Sequence, residues 1–346
     1  MELLAMKIRK IKMGRISGQL ILYCILAFFV WILCGFNTKT VDRETYIMFY
    51  EYAKQGINYP GVEIGYCIFQ RVCCFFDLPY QAFLSIYSLI AVVLITDSIR
   101  KYAKENSVII LVVFLFFPFL HIFVAQRNFM ACAIMIYGVR YLVYEKNASS
   151  NIKYIIAVFL ACSFHTLSIV YFVFIFVRLS IKKIKRIVLI CTAIISVLFV
   201  FGSSAQEIFF GFLPKLSHYL VEESGTRLET KIFLGMYFCV KLIIGSMVLH
   251  YIDKEKIVFM KISMLISFMI PMGTINMNFL RFEYNTLIFF LLSVLCMKKK
   301  PKQDTRTYYI VKIVSMVFYI ISGYVLLYLF SFESIVLNVL KNNLIL

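Results

Sequence analysis

Acidic residues are scarce in this chain: 18 Asp and Glu stand against 36 Lys and Arg over 346 residues, a net charge of +18. Four histidines and ten cysteines are scattered, with no Cys-x-x-Cys pair and none of the spacings that hold zinc. No glycine-rich phosphate loop and no nucleophile elbow occurs. ATP hydrolysis and metal-dependent chemistry therefore have no visible seat, and no cofactor is expected. Long polar stretches are missing too, so there is no basic-aromatic surface domain that would turn the positive charge toward nucleic acid.

What remains is apolar. Hydrophobic residues make up 62% of the chain, and runs of about 17–25 apolar residues recur, each long enough to cross a bilayer as a helix. The runs are continuous rather than alternating, which argues against a β-barrel. The reading is an all-α, polytopic transmembrane helical bundle forming one integral membrane domain over residues 1–346. It has about nine full spans, a broken helical hairpin near His165, and amphipathic loop helices on the external side.

Charge sets the expected topology. Lys7, Arg9, Lys10, Lys12 and Arg15 precede the first span, Gly18 to Phe36, and place the 17 N-terminal residues in the cytoplasm. Residues 37–80 then form an external loop, whose part Ile64 to Tyr80 reads as an interfacial helix. Spans follow at Gln81–Ile99, Ser107–Ala125 and from Gln126 to Tyr144. The segment Ile152 to Val177 has cations at both ends and too few residues for two full crossings. Two half-helices broken near Ser163-Phe164-His165-Thr166 solve this; the alternative is one tilted full span, which would invert the topology downstream. Further spans are expected at Ile187–Gly202, Ile232–His250, one leaving through Pro271-Met272-Gly273, one entering at Phe282, and Tyr308–Phe330. Residues 203–231 form a second external loop, and the C-terminus lies outside.

The polar residues near membrane depth are the informative ones, because each is costly there unless it is paired or lines a wet cavity. Asp42, Tyr46 and Tyr50 are spaced by four and are expected on one helix face, an aromatic and carboxylate surface suited to sugars; interfacial tyrosines need no ligand, however. Glu63 opens the interfacial helix. A carboxylate against apolar surroundings holds its proton more tightly than in water, the condition a general base exploits. Gln126-Arg127-Asn128 joins two spans with almost no loop. Arg127 sits where positive charge is disfavoured and starts a helix whose dipole opposes it, which points to an anionic ligand. Arg281, Glu283 and Tyr284 repeat that situation, with an ion pair to Glu283 or to a carboxylate elsewhere as the plain alternative for Arg281. His165, at the hairpin apex between Ser163 and Thr166, is an acid–base candidate, or else a helix–helix hydrogen-bonding residue.

Taken in order, these residues resemble the EpsG family of Wzy-type polysaccharide polymerases. The resemblance rests on Asp42-x3-Tyr46-x3-Tyr50, Glu63-x-Gly65-Tyr66, Gln126-Arg127, Ala161-x-x-Phe164-His165 and Arg281-x-x-Tyr284, over roughly residues 20–300. Gln70 stands where many relatives are expected to carry Asn. The resemblance implies a membrane glycosyltransferase of the bacterial cytoplasmic membrane that joins undecaprenyl-diphosphate-linked oligosaccharide repeat units into a capsule, exopolysaccharide or O-antigen on the external face. A flippase and a chain-length regulator would be its partners. Arg127 and Arg281 would meet the diphosphate, and Glu63 or His165 would assist the acceptor hydroxyl. Asp42, Tyr46, Tyr50, Gly65, Tyr66, Gln126 and Tyr284 would bind substrate. Three other readings are a polysaccharide-modifying membrane acyltransferase, for which the first span lacks a His, a non-enzymatic transporter of lipid-linked glycans, for which no internal repeat is apparent, and a scaffold membrane protein, against which Arg127 in a tight outer turn argues.

Overall fold

The computed structural model describes residues 18–145, 147–200, 228–253, 256–274, 277–299, 304–325 and 332–345. The expected cytoplasmic N-terminal 17 residues and nearly all of the 203–231 loop lie outside these. Among the described residues the chain is all-helical, without a strand; one isolated bridge joins Asn37 to Asn343.

Four segments have the length and apolarity of a membrane crossing: Gly18–Gly35, Tyr80–Val124, Glu229–Val248 and Ile257–Thr274. The first is helix α1, Gly18–Gly35. The second is a 45-residue stretch that reverses at Lys104, whose φ is +51°, and divides into α4 (Tyr80–Ala103), α5 (Ser107–Phe114) and α6 (Leu120–Val124). Helix α7 (Gln126–Tyr144) carries a polar first turn, and α13 (Leu280–Leu295) is 16 residues long. The count of nine spans thus stays an expectation, because short and polar-ended helices dilute the signal of a crossing.

The loop between α1 and α4 carries two helices, α2 (Arg43–Lys54) and α3 (Ile64–Phe75). Helix α3 turns Tyr66, Cys67, Gln70 and Cys73 inward and leaves Ile64, Ile68, Val72 and Phe75 exposed. That is one stripe at helical spacing, as an interfacial helix requires.

The hairpin is present, and its break falls at His165, which is extended at φ −151°, ψ 105°. Its arms are longer than half-helices. Helix α8 runs Ala148–Phe164, and α9, Thr166–Arg178, is a 3-10 helix. Seventeen residues at α-helical rise and thirteen at 3-10 rise both give about 25 Å, so tightening the second arm lets it match the first. The open end is closed by Arg178, which donates to the carbonyls of Glu145 (3.1 Å) and Asn147 (3.5 Å) and to Ser150 Oγ (2.5 Å). Midway, Tyr154 donates to the Tyr171 carbonyl at 2.9 Å.

Helices α10 (Ile181–Val200), α11 (Leu228–Val248), α12 (Ile257–Leu265) and α14 (Thr305–Gly323) complete the bundle, with α11, α12 and α14 packed on α13 and α10 packed on α12. After α12 the chain winds into short 3-10 turns at Ile266–Met269, Pro271–Thr274 and Met277–Phe279. This is the unwound exit expected at Pro271-Met272-Gly273. A last short helix, α15 (Asn338–Lys341), brings Asn343 back to donate to the Ile32 and Leu33 carbonyls at the end of α1.

The two ends of the bundle differ. One gathers cations against carbonyls, carboxylates and rings: Arg140 on Asp97 (2.8 Å), Lys101 over the Tyr144 ring, Lys261 on the carbonyls of Val177 and Leu179, and Lys298 beside Asp253. The other collects α2, α3, the α6–α7 turn, the hairpin apex and the start of α13. There the polar residues meet.

Candidate functional site

A cavity of about 200 Å³ opens at this second end, lined by Asp42, Thr45, Tyr46, Phe49, Ala125, Arg127, Asn128, His165 and Arg281. Four separate parts of the chain deliver these side chains. Helix α2 supplies one wall, the α6–α7 junction supplies Arg127 and Asn128, the hairpin break supplies His165, and the first turn of α13 supplies Arg281.

Glu63, the residue before α3, stands behind this lining. Its Oε2 accepts from Arg127 at 2.5 Å, and its Oε1 accepts from Thr166 N and Thr166 Oγ1 at 3.2 and 3.1 Å. His165 Nδ1 lies 3.9 Å from the same Oε1. One carboxylate thus ties the loop helix to Arg127 and to the hairpin apex. Arg127 also reaches the Gly61 carbonyl at 3.4 Å and lies 5.8 Å from the Phe49 ring centre. Arg281 is steadied through Asn278 Oδ1, 2.7 Å away, and no carboxylate lies within ion-pair distance of it among the described residues. Burial raises the Tyr46 phenol above its ordinary range, with the Arg127 guanidinium opposing; it stays a neutral hydroxyl at the cavity wall.

Below the cavity a buried polar clamp fixes its geometry. The Asn128 and Asn285 amides exchange hydrogen bonds at 3.2 and 2.8 Å, and Asn285 Nδ2 also donates to Tyr171 OH at 2.5 Å. This ties α7, α13 and α9 together at one level. Such a fully satisfied network specifies one arrangement of its elements.

Of the sequence-predicted residues, Asp42, Tyr46, Arg127, His165 and Arg281 line the cavity, and Glu63 braces it. The others do not reach it. Tyr50 is fully buried and donates to the Leu78 carbonyl at 2.7 Å. The reason is helical pitch: eight residues from Asp42 rotate the side chain by about 80°, whereas seven bring Phe49 back to within about 20°. Gly65 is a packing residue, since a Cβ there would lie 2.8 Å from the Ser163 carbonyl oxygen of α8. Tyr66 donates to Gln126 Oε1 at 3.1 Å, and Gln126 Nε2 donates to Tyr80 OH at 2.7 Å, a chain beneath the loop. Tyr284 stacks on His121 with ring centres 4.9 Å apart. Gln70 is buried, and its Nε2 has no hydrogen-bond partner among the described residues.

The expected alternative for Arg281, an ion pair with Glu283, is not formed. Glu283 instead meets Lys241 of α11 at 2.5 and 2.6 Å, with Tyr237 OH at 3.1 Å, all fully or almost fully buried. Sequence reasoning missed Lys241, although a lone cation inside an apolar helix is itself a sign that a buried partner exists. Thr45 and Phe49 were also missed, and Asn128 was named only as part of the polar turn, without a role. Among the described residues no cluster of His, Cys, Asp and Glu could hold a metal.

These features define an all-helical membrane protein with a bipolar, cation-rich cavity at one end of its bundle. The sequence model of the EpsG family matches residues 20–334, and the chain belongs to that family, whose members are Wzy-type polysaccharide polymerase-like membrane proteins. No curated protein and no solved structure is similar enough to add a relative.

Proposed function

We propose that the chain is a polymerase that joins undecaprenyl-diphosphate-linked oligosaccharide repeat units on the external face of the bacterial cytoplasmic membrane. The basic end of the bundle then lies inside, as the positive-inside rule favours. The carrying observation is that Arg127, Arg281, His165 and Asp42 line one cavity in an EpsG chain.

A lipid-diphosphate donor needs no external activation. An acceptor sugar hydroxyl attacks the anomeric carbon, the bond from that carbon to the diphosphate oxygen breaks, and the hydroxyl proton passes to a base. Arg127 and Arg281 stabilise the charge that accumulates on the departing diphosphate, the kind of electrostatic help worth about 3–4 kcal/mol per donor. Of the two candidate bases, His165 fits better, since it lines the cavity while Glu63 has both oxygens engaged behind it. Glu63 is then a positioning residue that holds Arg127 and the apex. Asp42 and Tyr46 accept and donate to sugar hydroxyls, and Phe49 offers an apolar surface to a ring.

Deletion of the gene, followed by gel analysis of the surface glycan, tests this. The expected result is loss of long polymer with retention of single repeat units. A glycan of unchanged length that lacks acyl groups would indicate an acyltransferase, and loss of single units from the outer surface would indicate a transporter; either overturns the proposal.

A further inference from the structure

Asp42 reaches the cavity from the position just before α2. An aspartate there ordinarily takes extended backbone and folds its carboxylate back on the N–H groups of the first helical turn. Asp42 instead has φ −98°, ψ 8°, and its side chain accepts no capping hydrogen bond. The carboxylate is thereby left to the cavity that it lines. Forgoing a cap is unfavourable for a helix, so the start of α2 has to be held by other contacts.

Two sets of contacts hold it. In the first, residues 338–345 close on the end of α1. Thr38 N donates to the Asn342 carbonyl at 2.8 Å, and Leu344 N donates to the Phe36 carbonyl at 3.0 Å, on either side of the facing pair Asn37 and Asn343. Asn37 is fully buried, and its Nδ2 donates to the Val339 carbonyl at 3.1 Å. In the second, Arg43, the first residue of α2, forks between the Asn37 carbonyl at 2.7 Å and Gln81 Oε1 at 2.9 Å. Its guanidinium also lies 5.1 Å from the Tyr80 ring centre. Gln81 in turn donates to the Gly35 carbonyl at 2.6 Å. The stretch 37–43 is thus pinned at both ends, at Asn37 and Thr38 by the returning segment and at Arg43 by the ends of α1 and α4. A planar guanidinium suits such a fork, since it aims two N–H groups at fixed angles.

We propose that Asn37, Arg43 and residues 338–345 form a clasp that turns the Asp42 carboxylate into the cavity, which makes Asn37 and Arg43 positioning residues for the acceptor sugar. This rests on the reading of Asp42 as a partner of sugar hydroxyls in a polymerase. It adds that the wall facing the acceptor is set by a segment 302 positions further along the chain, whereas Arg127 and Arg281 on the diphosphate side stand on other elements.

The test uses the full chain in vesicles supplied with a lipid-diphosphate-linked repeat unit, with variants compared at equal folded amounts. Arg43→Gln should raise KM for elongation about tenfold with kcat little changed, the effect of losing a hydrogen bond to a charged group. Asp42→Asn should do the same. Arg43→Gln with Asp42→Asn should be no worse than Asp42→Asn alone, because the arginine acts only through the carboxylate. Binding of polyprenyl diphosphate without glycan should be the same for Arg43→Gln as for the natural chain. Asn37→Cys with Asn343→Cys tests the clasp itself, since the Cα atoms of such a facing antiparallel pair are about 4.5 Å apart, within reach of a disulfide. Its KM should be near the natural value when oxidised and raised when reduced, with the natural chain the same in both conditions. Should Arg43→Gln not fold, this cysteine pair decides the matter. Additive losses in the double variant, weakened polyprenyl diphosphate binding by Arg43→Gln, or a KM indifferent to the disulfide overturns the clasp and leaves the polymerase proposal standing. Absence of elongation by the natural chain overturns both.

Discussion

Two carboxylate–cation pairs lie near the polar end of this bundle, and they do different things. Glu283 and Lys241 are sealed, with side chains 0% and 1% exposed. Glu63 and Arg127 have the same short contact, but the Arg127 side chain is 24% exposed and lines the cavity. A sealed pair offsets the cost of its own burial and fastens α11 to α13. A pair at a cavity wall keeps one partner available to a ligand while the other holds it in place. Burial of the cation therefore separates fastening from binding, although both pairs look alike as sequence: an acid and a base far apart in an apolar chain.

Removing half of the sealed pair should have the largest effect. Lys241→Met leaves Glu283 buried without its cation and should cost about 3–5 kcal/mol of stability, read as a lower unfolding midpoint in detergent. Lys241→Met with Glu283→Leu should recover most of that loss, since replacing both charges by apolar side chains is often close to neutral. Glu63→Gln should cost less, about 1–2 kcal/mol, because water in the cavity solvates Arg127. It should nonetheless shorten the polymer in folded protein, since Arg127 and the apex lose their common anchor. Tyr50→Phe should be the mildest. It loses one hydrogen bond to Leu78, about 1 kcal/mol, and should leave polymer length as it was. A change in length with Tyr50→Phe would bring that residue back to the substrate.

The same contrast explains what was legible in the sequence. The break at His165 and the meeting of Glu63, Arg127, His165 and Arg281 could be anticipated, because a polar group at membrane depth or at a span boundary violates a strong preference and must be compensated. Tyr50, Gly65, Tyr66, Gln126 and Tyr284 could not be placed that way. Tyrosine and glutamine are acceptable both in a core and at a cavity, so only helical phase and packing decide, and four-residue spacing drifts around the helix. Gly65 reads as a motif member, but its role is set by Ser163, about 100 positions along the chain. The 3-10 form of α9 was equally hidden, since its apolar composition suits an α-helix as well. Lys241 and Glu283 were visible as charges within apolar helices, yet nothing local says that they face each other.

The cavity's role is most directly tested with purified protein in vesicles supplied with a lipid-diphosphate-linked repeat unit, comparing the natural chain with Arg281→Ala at equal folded amounts. The natural chain should release polyprenyl diphosphate as polymer grows, and Arg281→Ala should do neither above roughly one part in a hundred of that rate. Polymer of the same length made at the same rate by both would contradict a diphosphate site at Arg281.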